Sequence, residues 1–162
     1  MHGANASGRA FTGDQSGALL YRTLHKFGFA SQPESQTAND GMRLINCRVS
    51  NAVKCLPPQN KPLGSEINAC NHFLKAELAV LDRGAVILSL GSIAHNAVLK
   101  AFSLRLAAYK FGHNVLHELP SGHYLLDSYH CSRYNINTRR LTEAMFEAVF
   151  ARASERLEQE KC

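Results

Sequence analysis

The stretch Asp127-Ser128-Tyr129-His130-Cys131-Ser132-Arg133-Tyr134-Asn135, continuing to Arg139-Arg140-Leu141-Thr142, gathers a titratable imidazole, hydroxyl groups and three arginines within a few residues. The apolar residues Tyr124, Leu125 and Leu126 before it read as a short buried strand, and Thr142 begins a new helix. In an α/β fold ligands bind at the carboxyl ends of strands. A His at such an end, followed by donors suited to phosphate, points to a site that processes a base or handles a phosphate. The competing reading is a solvated loop with an incidental His, because loops carry both function and filler.

A second group with chemical content lies in Ser50-Asn51-Ala52-Val53-Lys54-Cys55-Leu56-Pro57-Pro58, with Cys70 further along. Cys55 stands before a rigid proline loop and Cys70 one turn into a predicted helix. Folding back would bring two thiolates to one metal or cluster, which takes about four such ligands. Against this, Cys70 also lies on an apolar stripe, where a buried cysteine acts as a small hydrophobe. Cys47 reads as packing.

The elements that would position these residues follow from periodicity. Leu20, Leu24 and Phe27 keep helical spacing up to Gly28, which predicts a helix over roughly 15–27. Residues 31–41 have turn and linker composition. Leu44, Ile45, Cys47 and Val49 predict a strand, and the three prolines of 56–64 exclude helix or central strand there. Ile67, Cys70, Leu74, Leu78 and Leu81 predict a helix over about 66–82 behind a Ser65 cap. The continuous run Ala85–Leu90, bounded by Gly84 and Gly91 and followed by helical spacing from Ser92, is the pattern of a buried parallel strand feeding a helix. Val115, Leu116 and residues 124–126 supply further strands, and the last helix buries Phe146, Val149, Phe150 and Ala153. The class is α/β.

With 162 residues and 45% hydrophobic content, the chain fits one domain with a real core. A charge of +5 favours an anionic partner, DNA or RNA among them. No stretch approaches the roughly 18 apolar residues of a membrane span, and the N-terminus lacks the apolar core of a signal peptide, so the expected location is the cytoplasm. There, five cysteines are reduced thiols or metal ligands rather than disulfides. No GxxxxGK phosphate loop and no internal repeat is present.

Four motifs, HGANASGRAFTGDQSG, SNAVKCLPPQNKP followed by Cys70, LGSIAH, and DSYHCSRYNINTRRLT, occur in an order that resembles the uracil-DNA glycosylase superfamily, and within it the iron–sulfur type-5 branch. The resemblance implies a three-layer αβα domain over 1–162 with a central, mainly parallel sheet. It also implies hydrolysis of the N-glycosidic bond of uracil, or of other deaminated bases, in DNA. By the same resemblance Phe11 stacks on the flipped base, Asp14 positions water or stabilises the cationic sugar, and Asn51 reads the uracil edge. His130 donates to the uracil oxygen, and Ser132, Arg133 and Arg139 hold the DNA. Cys55 and Cys70 would be two of the four ligands of a 4Fe–4S cluster. The partner is DNA containing uracil or other deaminated bases, and the protein a monomer.

Two departures from the family pattern stand out. Cys131 occupies the position where many relatives have proline after the His. The first motif, a GLAPA-like strand end, and a further cysteine pair would precede His2. The expectation is therefore a family member lacking its first strand and two cluster ligands, with a DNA-binding remnant without catalysis as the alternative. A third possibility is a small iron–sulfur or zinc protein in which Cys47 or Cys131 joins Cys55 and Cys70.

Overall fold

A computed structural model describes residues 15–35, 37, 39–52 and 64–160, with backbone alone at residue 15 and over 64–70. The chain divides into two compact units, one of Met1–Ser50 with Tyr129–Arg156 and one of Asn51–Ser128 with Leu157–Cys162.

The second unit holds the sheet. Strands β1 (Val86–Leu90), β2 (Leu116–Glu118) and β3 (Tyr124–Ser128) lie in the order β1-β3-β2. β1 and β3 are parallel, with Val86 opposite Tyr124 and Ser89 opposite Asp127. β2 pairs antiparallel with β3, Leu116 opposite Leu126. The class is α/β, as the sequence predicts, and the described sheet is mixed, one parallel pair beside one antiparallel pair. β3 is central, and Leu125, Leu126, Asp127 and Ser128 are all buried, so its apolar first half packs in the core while its polar second half is enclosed with it.

Helices α2 (Gly64–Ala79) and α3 (Ser92–Ala101) complete this unit. Gly91 takes φ 93° between β1 and α3, a left-handed turn open to glycine at little cost. Leu74 and Leu78 of α2 pack with Ala97, Val98 and Ala101 of α3 and with Leu119 and Leu125 of the sheet region. The amide of Asn71 donates to the carbonyl of Ala97 at 2.8 Å, which pins the two helices in register.

The first unit is helical. α1 (Gln15–Lys26) buries Leu19, Leu20, Tyr21 and Leu24. A five-residue helix α4 (Arg133–Asn137) follows the sheet in sequence, and α5 (Glu143–Gln159) closes the fold. α5 buries Phe146, Val149, Phe150 and Ala153, the stripe predicted from spacing. Phe27 after α1 meets Phe150 at 5.9 Å, and Arg22 and Lys26 pair with Glu143 and Glu147 at 3.0 and 2.7 Å. Those pairs are largely exposed and contribute little; the aromatic packing holds α1 to α5.

The strand expected at Leu44–Val49 does not form. Its backbone makes one antiparallel bridge, Ala30 to Leu44, after which Asn46 turns left-handed at φ 52° and Ile45 is exposed. Alternating apolar residues favour a strand only where a partner continues the ladder, and the turn at Asn46 ends this one. No helix of the described residues is long and apolar enough to cross a membrane.

Candidate nucleic-acid interface

β3 ends at Ser128, and the chain enters the first unit at Tyr129 and His130. The segment that follows is tightly built. Ser132 caps α4: its backbone is extended (φ −66°, ψ 151°) and its Oγ accepts from the amide of Asn135 at 3.3 Å, satisfying one of the helix's orphan donors. The side chain of Asn135 reaches back and donates Nδ2–H to the carbonyl of His130 at 2.8 Å. The carbonyl of Asn135 accepts from the amide of Leu141 at 3.1 Å. Two buried side chains, Cys131 and Leu141, anchor the ends of the segment.

Thr142 then caps α5, its Oγ1 accepting from Met145 N at 3.2 Å, so the predicted helix start is the observed one. The short helix α4 inside this segment was not foreseen; a single capping serine among polar residues is a weak signal for five residues of helix. Cys131 is fully buried, so packing fixes the start of the segment.

His130 is half-buried with an anchored backbone, and the segment that follows it carries exposed cations. Arg133, Arg139 and Arg140 are all exposed, and Arg139 sits at φ 56°, which turns the chain sharply after α4. The guanidinium of Arg140 lies 4.8 Å over the ring of Tyr129. Several solvent-facing guanidiniums along one short segment suit a polyanion whose charges are spaced along a backbone.

Of the residues singled out from sequence, His130, Ser132, Arg133 and Arg139 lie in this one segment. Ser132 spends its hydroxyl on the helix cap. Asn51 is exposed in a loop at the start of the second unit. Phe11, Asp14 and Cys55 lie outside the described residues, and Cys70 is described only as backbone within α2.

Two cysteines among the described residues, Cys47 and Cys131, are free thiols. Cys131 is fully buried. Cys47 donates its thiol to the carbonyl of Phe29 at 3.3 Å, and burial pushes that thiol up from its ordinary value, against a smaller lowering by a backbone hydrogen bond at Ile45. A thiol whose charged form is disfavoured by burial is a slow nucleophile. Alkylation of Cys47 by iodoacetamide at neutral pH, followed by mass spectrometry, is expected to run slower than that of a cysteine in an unstructured peptide; equal rates would contradict this assignment.

One group of polar residues escaped sequence reasoning: His95, His117 and Asp127, with Ser89. The signal available was slight, a Ser and an Asp interrupting two apolar strands at positions that turn out to be directly opposed.

Comparison with known proteins agrees with this geometry. The model of the family described as "Uracil DNA glycosylase superfamily" matches residues 1–154. A "Type-5 uracil-DNA glycosylase" of Thermus thermophilus is 46% identical over 152 residues, covering 94% of this chain and 69% of the relative. One of Mycobacterium bovis is 40% identical over 154 residues, 94% of this chain and 58% of that protein. A "Type-4 uracil-DNA glycosylase" of Thermotoga maritima is 34% identical over a shorter stretch of 89 residues, 54% of this chain and 38% of that protein. With a family match that takes in the whole His130–Arg140 segment and nearly all of both units, the chain belongs to the uracil-DNA glycosylase superfamily.

Proposed function

We propose that the protein hydrolyses the N-glycosidic bond of uracil in DNA and leaves an abasic site, the first step of base excision repair. The observation that carries this reading is the family match over residues 1–154, within which His130 stands on an anchored backbone next to exposed arginines. The relatives are glycosylases by name, which favours catalysis over DNA binding alone.

In this reading the base leaves as an anion, and His130 donates a hydrogen bond to the uracil oxygen on which that charge grows. Asp14 supports the opposite partner, stabilising the cationic sugar or holding the water that attacks it. Phe11 stacks on the flipped base, and Asn51 offers both a donor and an acceptor to the uracil edge. Ser132, Arg133 and Arg139 lie against the DNA, with Arg140 beside them. Other deaminated bases with a similar edge would enter the same site.

A 4Fe–4S cluster in this chain would be held by Cys55 and Cys70 as two of its four ligands, tying the proline-rich loop to α2. The protein would act as a cytoplasmic monomer.

If Arg133, Arg139 and Arg140 meet phosphates, changing them to alanine weakens binding to all DNA sequences alike and flattens the log–log salt dependence by roughly 0.9 for each phosphate no longer neutralised. Fluorescence anisotropy across a salt series checks this, and an unchanged slope would take the segment off the DNA. For the reaction itself, a duplex carrying a single deoxyuridine should become cleavable by alkali at that position after incubation with the protein. A strand that stays alkali-resistant would overturn the assignment.

A further inference from the structure

In the second unit a carboxylate and two imidazoles meet with basic atoms turned toward one another. Asp127 is fully buried near the carboxyl end of β3. Its Oδ1 accepts from the hydroxyl of Ser89 on β1 at 2.6 Å and lies 2.8 Å from Nδ1 of His95 on α3. The other ring nitrogen of His95, Nε2, faces the carbonyl oxygen of Tyr109 at 2.9 Å. A carbonyl only accepts, so Nε2–H donates to it, and at 2.8 Å Nδ1 and the carboxylate Oδ1 share a hydrogen bond whose proton leaves before Nδ1 can take an ion. On the far side, Asp127 Oδ2 and His117 Nε2 are both buried and, among the described residues, without a hydrogen-bond partner, 3.4 Å from each other.

Three basic atoms thus lie within 4.8 Å of one another, one from each of α3, β2 and β3. An ionised hydrogen bond would close Oδ2 and Nε2 to about 2.7–2.9 Å. Two ligands held at about 2.0–2.1 Å by a tetrahedral ion stand about 3.4 Å apart instead, the separation of Asp127 Oδ2 and His117 Nε2, and the three atoms, within 4.8 Å of one another, would draw together around the ion. The surroundings match what orients metal-binding imidazoles. A backbone carbonyl fixes the tautomer of His95, a hydroxyl holds the carboxylate, and the edges of Phe111 and Tyr109 wall the group at 5.6 and 5.7 Å from the two rings.

We propose that His95 Nδ1, His117 Nε2 and Asp127 Oδ2 bind one divalent cation of the Zn²⁺ class. Two imidazoles and a carboxylate suit such borderline ions rather than Ca²⁺ or Mg²⁺, and thiolates, the ligands of an iron–sulfur cluster, take no part. The ion binds through lone pairs, so any proton resting on either imidazole leaves to solvent as it enters. Once bound it ties the helix after β1 to both strands beside it. This site does not depend on the proposed excision of uracil.

The test uses the purified, untagged protein, freed of loosely held metal by chelation, dialysed against Zn²⁺ and counted by elemental analysis. Wild type is expected to hold one zinc that His117→Gln and Asp127→Asn both lose and Cys70→Ser keeps. Its unfolding midpoint should rise with added zinc, and that rise should vanish in His117→Gln. ¹¹³Cd NMR of the unaltered protein should give a resonance in the nitrogen–oxygen range. A wild type whose zinc content does not exceed that of His117→Gln, or a cadmium resonance only in the thiolate range, would overturn the proposal. If Asp127→Asn fails to fold, His117→Gln and the cadmium spectrum of the unaltered protein still decide it.

Discussion

Replacing His130 with alanine is expected to lower single-turnover release of uracil by roughly 10²-fold or more, the usual loss when one positioned donor is withdrawn from a charge that develops in the transition state. The substitution is a fair probe because the segment is held by other means. The bond that anchors this position runs from Asn135 to the backbone carbonyl of residue 130, so truncating the imidazole leaves it in place. Ser132 still caps α4, and Cys131 and Leu141 remain buried on either side. His130 itself is half-buried, so its removal opens no enclosed cavity. DNA affinity should therefore change little while the rate falls, and a variant that keeps the wild-type rate would remove His130 from the mechanism.

The second large effect concerns stability. Phe146 is fully buried in α5 and meets Phe150 edge-on at 5.2 Å, and Phe150 in turn meets Phe27 at 5.9 Å. Phe146→Ala removes the first ring of this row and leaves a cavity, for which the cost is about 3–5 kcal/mol. That is a large share of the about 5–15 kcal/mol that holds a domain folded. Arg22→Ala, by contrast, breaks an exposed ion pair with Glu143 and should cost well under about 1 kcal/mol. Urea denaturation of both variants checks the contrast. Equal losses would mean that charge rather than aromatic packing joins α1 to α5.

The same row of residues shows how much was legible beforehand. Phe146, Val149, Phe150 and Ala153 fall at helical spacing, and a helix that must bury one face can do so in only one rotation, so periodicity located that core directly. The runs at 85–90 and 124–126 were equally plain, because each is continuously or almost continuously apolar, although β3 is buried and β1 only half-buried outside Ser89. Leu44–Val49 misled for the opposite reason. Alternation is a local property, while a strand needs a partner, and Asn46 turns the chain away after one bridge. α4 was missed because five residues carry too little periodicity to stand out.

For the site, the residue types around His130 were readable as chemistry suited to a base or a phosphate, and the arginines do stand exposed beside it. Which bond is broken was not readable from spacing; it came from the order of four motifs. The group at Asp127 was invisible because Ser89, His95 and His117 approach it from three separated segments, and no pattern in one dimension brings 89, 95, 117 and 127 together. Such convergence is a product of strand register and of the turn at Gly91 that starts α3.

Catalysis and bare DNA binding are separated most directly by a single-turnover experiment with protein in excess over a labelled duplex that carries one uracil, run beside the same duplex with thymine in its place. Free base is measured by chromatography and complex formation by anisotropy in the same samples. The account predicts that both duplexes bind, that one equivalent of free uracil appears from the first, and that no thymine is released from the second. Saturated binding of the uracil duplex with no free uracil would contradict it.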